Sequence, residues 1–136
     1  MIVVDASAAL GWCFPDEGSD YADAVLLALE GQDVVVPAIW PIEIVHALLV
    51  GERRKRISLA DIQRFTELLK GLMIVEDTQS VLRGIADVLP LARQHGLSAY
   101  DAAYLDVAIR RDGQLATMDS ALQRAARAAG VAIVAN

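Results

Sequence analysis

The chain has 136 residues, 55% of them hydrophobic, and a formal net charge of −6; its pI is about 4.7 and its mean hydropathy +0.40. That length suits a single domain, residues 1–136, with one core. No apolar run reaches the roughly 18 residues of a membrane span, a single cysteine excludes an internal disulfide, and the acidic balance is unlike a generic nucleic-acid binder, though it leaves room for a locally basic groove.

Residues 1–5 carry no basic segment and end in an acid, so no signal peptide is expected and the expected setting is a reducing cytoplasm. The apolar excess reads as a well-filled core plus apolar surface for a partner.

"MIVV" (1–4) reads as a first strand, stopped by Asp5. Ser19 is placed to cap a helix, "DYADAVLLALE", that stops at Gly31. "VVV" (34–36) is a second strand, and a helix starting near Pro41 carries Glu43 and runs to about Val50. "SLADIQRFTELLKG" opens with a Ser58-x-x-Asp61 capping box and ends at Gly71. "LMIV" (72–75) is a third strand, and residues 79–95 are helical with an interruption expected near Pro90. A helix follows from Ser98 to about Arg111, then a fourth strand (114–118), a helix "SALQRAARAAG", and a closing strand "VAIV". Strands alternating with helices imply βαβ crossovers. Apolar runs without polar alternation fit strands covered on both faces. The expected class is a three-layer α/β/α domain with a mostly parallel central sheet.

In such sheets ligands bind beyond the carboxyl ends of the strands. Asp5 follows the first strand and Asp119 the fourth; Glu43 and Asp101 lie in the first turns of helices whose N-termini point to the same edge. Ser7 and Thr117 lie close enough to add hydroxyl oxygens. Four clustered carboxylates repel one another and would take up protons without a counter-charge. Oxygen ligands of this kind suit Mg²⁺ or Mn²⁺, whereas Cys13, His46 and His95 show no zinc spacing. A divalent cation lowers the pKa of water and stabilises negative charge on a phosphodiester. Each acid also has a purely structural reading. Asp5 can cap the turn after its strand and Asp119 the next helix. Asp101 can complete a capping box with Ser98, and Glu43 can sit at the positive end of its helix. Four caps have no reason to share one edge of a sheet.

At these residues the sequence resembles the PIN-domain ribonucleases, specifically the VapC-type toxins of bacterial toxin–antitoxin pairs. The resemblance rests on "VVDAS" with Trp12 and "PDE" after it, on "VPAIWPIEIVHALL", on "GLSAYDAAYLDVA" and on "LATMD", in that order. It implies that Asp5, Glu43, Asp101 and Asp119 are the acidic metal-binding set, with Glu43 acting partly through water. It implies metal-dependent hydrolysis of RNA with Mg²⁺ or Mn²⁺, a homodimer, and inhibition by a cognate VapB-like antitoxin laid along the active-site groove. The chain departs from the family pattern at His46, where the family usually has asparagine three residues after the glutamate. That difference bears on how Glu43 is positioned and on the pH range of activity. Asp106 is a second departure. It lies about 140° round its helix from Asp101 and reads as a surface charge.

"ERRKR" supplies Arg53, Arg54, Lys55 and Arg56. These suit RNA phosphate contacts and equally suit a solvated turn or a seat for an acidic stretch of a partner. Trp12 and Trp40 read as core or dimer-interface packing, and Tyr100 and Tyr104, four apart on one helix, as packing. Three other functions fit parts of the pattern. A phosphatase with Asp5 as nucleophile would want a second acid where Ser7 stands. An Mg-binding phospho-receiver would want a late lysine, and none follows Lys70. A catalytically inactive PIN-like binding module is the third.

Overall fold

The computed structural model describes residues 1–135. Four short strands, β1 (Ile2–Val4), β2 (Val34–Val36), β3 (Ile74–Glu76) and β4 (Gln114–Ala116), form one parallel sheet in the order β3-β2-β1-β4. Seven helices connect and follow them: α1 (Ala6–Leu10), α2 (Asp20–Ala28), α3 (Trp40–Arg53), α4 (Leu59–Lys70), α5 (Val81–His95), α6 (Ala99–Arg110) and α7 (Ser120–Ala128).

The first two connections step across the sheet in one direction, and the third returns past β2 and β1 to β4. Right-handed crossovers therefore place α1–α4 on one face and α5 and α6 on the other. The contacts agree: α1 packs on α2 and α3, while α6 packs on the sheet, on α5 and on α7. β1 and β4 are neighbours whose following helices go to opposite faces. A crevice opens at the carboxyl ends of such a pair.

Every residue of β1 and β2 is buried, the pattern of strands covered on both sides. Val3, Leu105, Leu115 and Leu122 are wholly enclosed. Burying a side chain of this size contributes roughly 1.5–3 kcal/mol, so apolar packing sets the strand ends on which the polar groups ride. Serines cap α2, α4, α5 and α6, and α4 carries the full capping box of Ser58 and Asp61. α3 has no side-chain cap and begins with proline in its first turn instead.

The structure corrects the sequence reading in four places. The closing segment is not a strand. After Gly130, at φ +76°, it meets β4 through a single bridge, Leu115 to Ile133, and then turns away. α5 is not interrupted at Pro90 and runs continuously from Val81 to His95. Pro90 and Ala86, four residues before it, are both exposed, so the carbonyl that loses its partner can bond to water. α3 extends beyond Val50 to Arg53 through Gly51, which has a packing reason to be glycine: a Cβ there would lie 2.7 Å from the buried ring of Phe14. Asp106 is not a surface charge. α6 lies between the sheet and α5, so an angle on its wheel does not point to solvent, and Asp106 is buried beside Arg110. The short α1 was not visible as a separate helix in the sequence.

Trp40 is buried, and Trp12 donates its indole N–H to the Ala22 carbonyl at 2.9 Å. No helix among the described residues is long and apolar enough to cross a membrane.

Candidate active site

The end of β1 delivers Asp5 into the crevice beside β4. Its backbone N–H bonds to the Ala116 carbonyl at 3.0 Å, which locks the two strand ends together. Its carboxylate is buried and fully engaged. Oδ1 accepts from the Ser7 hydroxyl at 2.7 Å and from the Ala8 N–H at 2.9 Å, and Oδ2 accepts from the Thr117 hydroxyl. Ser7 and Thr117 also tie the two loops together. Ser7 Oγ accepts from Met118 N–H and Thr117 Oγ1 from Asp119 N–H, both at 3.0 Å. The Tyr21 hydroxyl accepts from the Thr117 N–H at 3.3 Å. Burial pushes the Asp5 carboxyl up to about 6, against the lowering effect of Thr117, Ala8 and Ser7; the charge of Asp101 adds to the rise.

Asp101 sits in the first turn of α6, where Ser98 Oγ accepts its backbone N–H at 3.1 Å. The return bond that Asp61 makes to Ser58 N–H in α4 has no counterpart at Asp101, so the capping box foreseen there is half formed. Its carboxyl is raised by burial and then by the charges of Asp119 and Glu43. Asp119 caps α7, its Oδ1 accepting from Leu122 N–H at 2.8 Å. Glu43 lies in the first turn of α3, and its Oε1 accepts from the Tyr104 hydroxyl. Tyr104 is buried between two acids. Burial, then Glu43, then Asp5 hold its hydroxyl in the protonated form that donates.

The structure thus sets Asp101 within electrostatic reach of Asp5, Glu43 and Asp119, and each of the four lies at a helix N-terminus. The capping readings of Asp5 and Asp119 are correct as local descriptions. They are also why the acids can gather, because the positive ends of α1, α3, α6 and α7 offset part of their repulsion. Among the described residues no three histidine, cysteine, aspartate or glutamate side chains stand close enough to grip a metal ion. The chemistry of the four carboxylates, hard oxygen donors alone, fits Mg²⁺ or Mn²⁺.

Residues 2–128 match the family model of the PIN domain. The chain belongs to the PIN domain family. Among PIN proteins it is similar to Ribonuclease VapC3 of Pyrobaculum aerophilum, with 28% identity over 121 residues, 89% of this chain and 91% of that protein. The crystal structure of PAE2754 from Pyrobaculum aerophilum superposes with a TM-score of 0.65 and 26% identity, covering 91% of this chain and 78% of that one. FitAcB from Neisseria gonorrhoeae shares the fold with a TM-score of 0.66 at 21% identity, over 98% and 96% of the two chains.

Five other positions singled out in the sequence lie as follows in this PIN fold. His46 is exposed, and the bond that fixes Glu43 comes from Tyr104, so the departure from asparagine leaves Glu43 supported. Arg56 is committed elsewhere: its guanidinium bonds Asp16 and Glu17, the nearest contact at 2.9 Å, and lies 4.7 Å over the Phe14 ring. Arg53, Arg54 and Lys55 are exposed. Arg53 is ten residues beyond Glu43 on α3, a rise of about 15 Å, so this basic group stands away from the acids. The sequence reading missed the role of Tyr104. Its spacing was the available signal, since a residue three after Asp101 lies on the same helix flank.

Proposed function

We propose that this PIN protein is an endoribonuclease that depends on Mg²⁺ or Mn²⁺, the toxin of a VapBC-type pair held inactive by a cognate VapB-like antitoxin. The observation that carries the reading is that Asp101 feels the charges of Asp5, Glu43 and Asp119, each set at a helix N-terminus. Membership of the PIN family and likeness to Ribonuclease VapC3 support it.

A divalent cation held by this set would make water a better nucleophile and offset charge building on the phosphate. The chain's own residues do the rest. Thr117, Ser7 and the Ala8 N–H hold Asp5 on a rigid strand end, Tyr104 fixes Glu43, and the helix N-termini temper the negative field. The exposed apolar residues of α5 and the edge strand β3, Val81, Leu82, Ile85, Leu89 and Val75, support a homodimer. Cys13, buried with its thiol pushed up to about 11 by that burial, suits a reducing cytoplasm. The phosphatase alternative is disfavoured because Ser7, a hydrogen-bond donor to Asp5, stands where a second acid is wanted.

The purified chain, freed of any bound protein, is expected to cut members of a panel of single-stranded and loop RNAs in Mg²⁺ or Mn²⁺, and EDTA is expected to stop it. Metal-independent cleavage would overturn the mechanism, and covalent phosphate on Asp5 would move the reading to a phosphatase or receiver.

A further inference from the structure

A cavity of about 410 Å³ opens beside Glu43, walled by Ile39, Ile42, His46 and Tyr100 as well as Glu43 itself. Its two rings are placed by the acids. Tyr100 immediately precedes Asp101 on α6, and His46 follows Glu43 by three residues, less than one turn of α3. Tyr100 is 57% exposed and Ile42 67% exposed. A flat aromatic face and an aliphatic wall thus stand in water at the edge of the carboxylate crevice.

We propose that this cavity is a nucleobase subsite, in which the base beside the scissile phosphodiester stacks on Tyr100 against Ile42 with His46 at the open side. The inference rests on the nuclease reading above and names the part of the substrate that this corner recognises. Charge decides which part of a nucleotide enters. No lysine or arginine is among the described residues that line the cavity, so a phosphate or an acidic peptide has no counter-charge there, whereas a base is uncharged and offers two π-faces. Arg53, Arg54 and Lys55 do not line the cavity. Stacking accepts any base, but a base enters such a cavity only when it is out of a duplex stack. The subsite therefore selects unpaired RNA.

The test is single-turnover cleavage of an oligoribonucleotide, intact or with one abasic nucleotide on either side of the cut. The wild-type chain is compared with Tyr100→Ala, Tyr100→Leu and Tyr100→Phe. The wild type should lose about tenfold in kcat/KM on one of the abasic substrates, the usual worth of one base–aromatic stack. Tyr100→Ala and Tyr100→Leu should lose the same on intact RNA and show no further loss on the abasic one. Tyr100→Phe should behave as wild type, and all four proteins should melt alike. An abasic penalty that persists in Tyr100→Ala, or no penalty in the wild type, overturns the subsite; the latter is expected if the cavity instead receives a side chain of a protein inhibitor. A wild-type chain that cuts no RNA in Mg²⁺ or Mn²⁺ overturns the nuclease reading, and the subsite with it.

Discussion

Asp5→Asn is expected to lower metal-dependent RNA cleavage by at least about a hundredfold, since a cation's charge stabilisation is worth several kcal/mol and each 1.36 kcal/mol is tenfold in rate. The same variant is expected to keep or gain stability. Burial raises the folded carboxyl of Asp5 from 3.8 to about 6, so the fold disfavours its ionised form. That deficit is absent below the unfolded value, grows as pH rises between the two, and is complete above about pH 6. At about 1.4 kcal/mol for each tenfold change in proton affinity, it amounts at most to roughly 3 kcal/mol. Asparagine removes the charge and keeps an oxygen for the Ala8 N–H, so the gain is smaller than this by whatever the Ser7 and Thr117 bonds lose. Melting curves at pH 7 and pH 4 check the sign: the variant should gain more, relative to wild type, at pH 7. Unfolding of Asp5→Asn would mean that its cap to α1 outweighs its place among the acids.

Arg110→Ala is expected to destabilise the protein by about 3 kcal/mol, the usual cost of removing one partner from a buried charge network. Asp77, just beyond β3, is buried, and it receives Arg110 Nη2 at 2.5 Å and Arg111 Nε at 2.6 Å. Asp106 receives Arg110 Nε at 2.9 Å. Losing Arg110 leaves Asp106 without its donor and Asp77 with Arg111 alone. Urea unfolding measures the loss, and Asp106→Asn added to Arg110→Ala should recover part of it. Burial alone would raise Asp77, but the bonds from Arg110 and Arg111 prevail and hold it below the ordinary range. The stability it contributes is therefore present above the unfolded value and is lost as pH falls through the lower folded one. Arg110→Ala should weaken that acid limb. Asp106, raised by burial against the pull of Arg110, contributes in the opposite sense. An unchanged urea midpoint in Arg110→Ala would show that these contacts are dispensable.

The sheet was legible because β1 and β2 are buried on both faces, which leaves uninterrupted β-branched runs in the sequence. The positions of Asp5 and Asp119 near one edge were legible because a parallel sheet sends its strand ends one way, though β4 ends at Ala116 and not at Met118 as the sequence reading had it. Asp77 and Asp106 were not, because their burial depends on how α6 lies between the sheet and α5, which no local pattern encodes. The Asp106-x-x-x-Arg110 spacing was the one hint available. Tyr104 reads as packing in the sequence because its ring does pack; only its hydroxyl reaches Glu43, 61 residues away in sequence. The closing segment has a strand's composition but meets β4 at a single residue, a difference that composition cannot record.

Whether the carboxylates at the β1–β4 crevice hold a divalent cation is tested most directly by calorimetric titration of the protein with Mn²⁺. The predicted result is saturable binding by the wild type that is lost in Asp5→Asn and in Asp101→Asn, both still folded. No uptake by the wild type, or undiminished uptake by either variant, would contradict it.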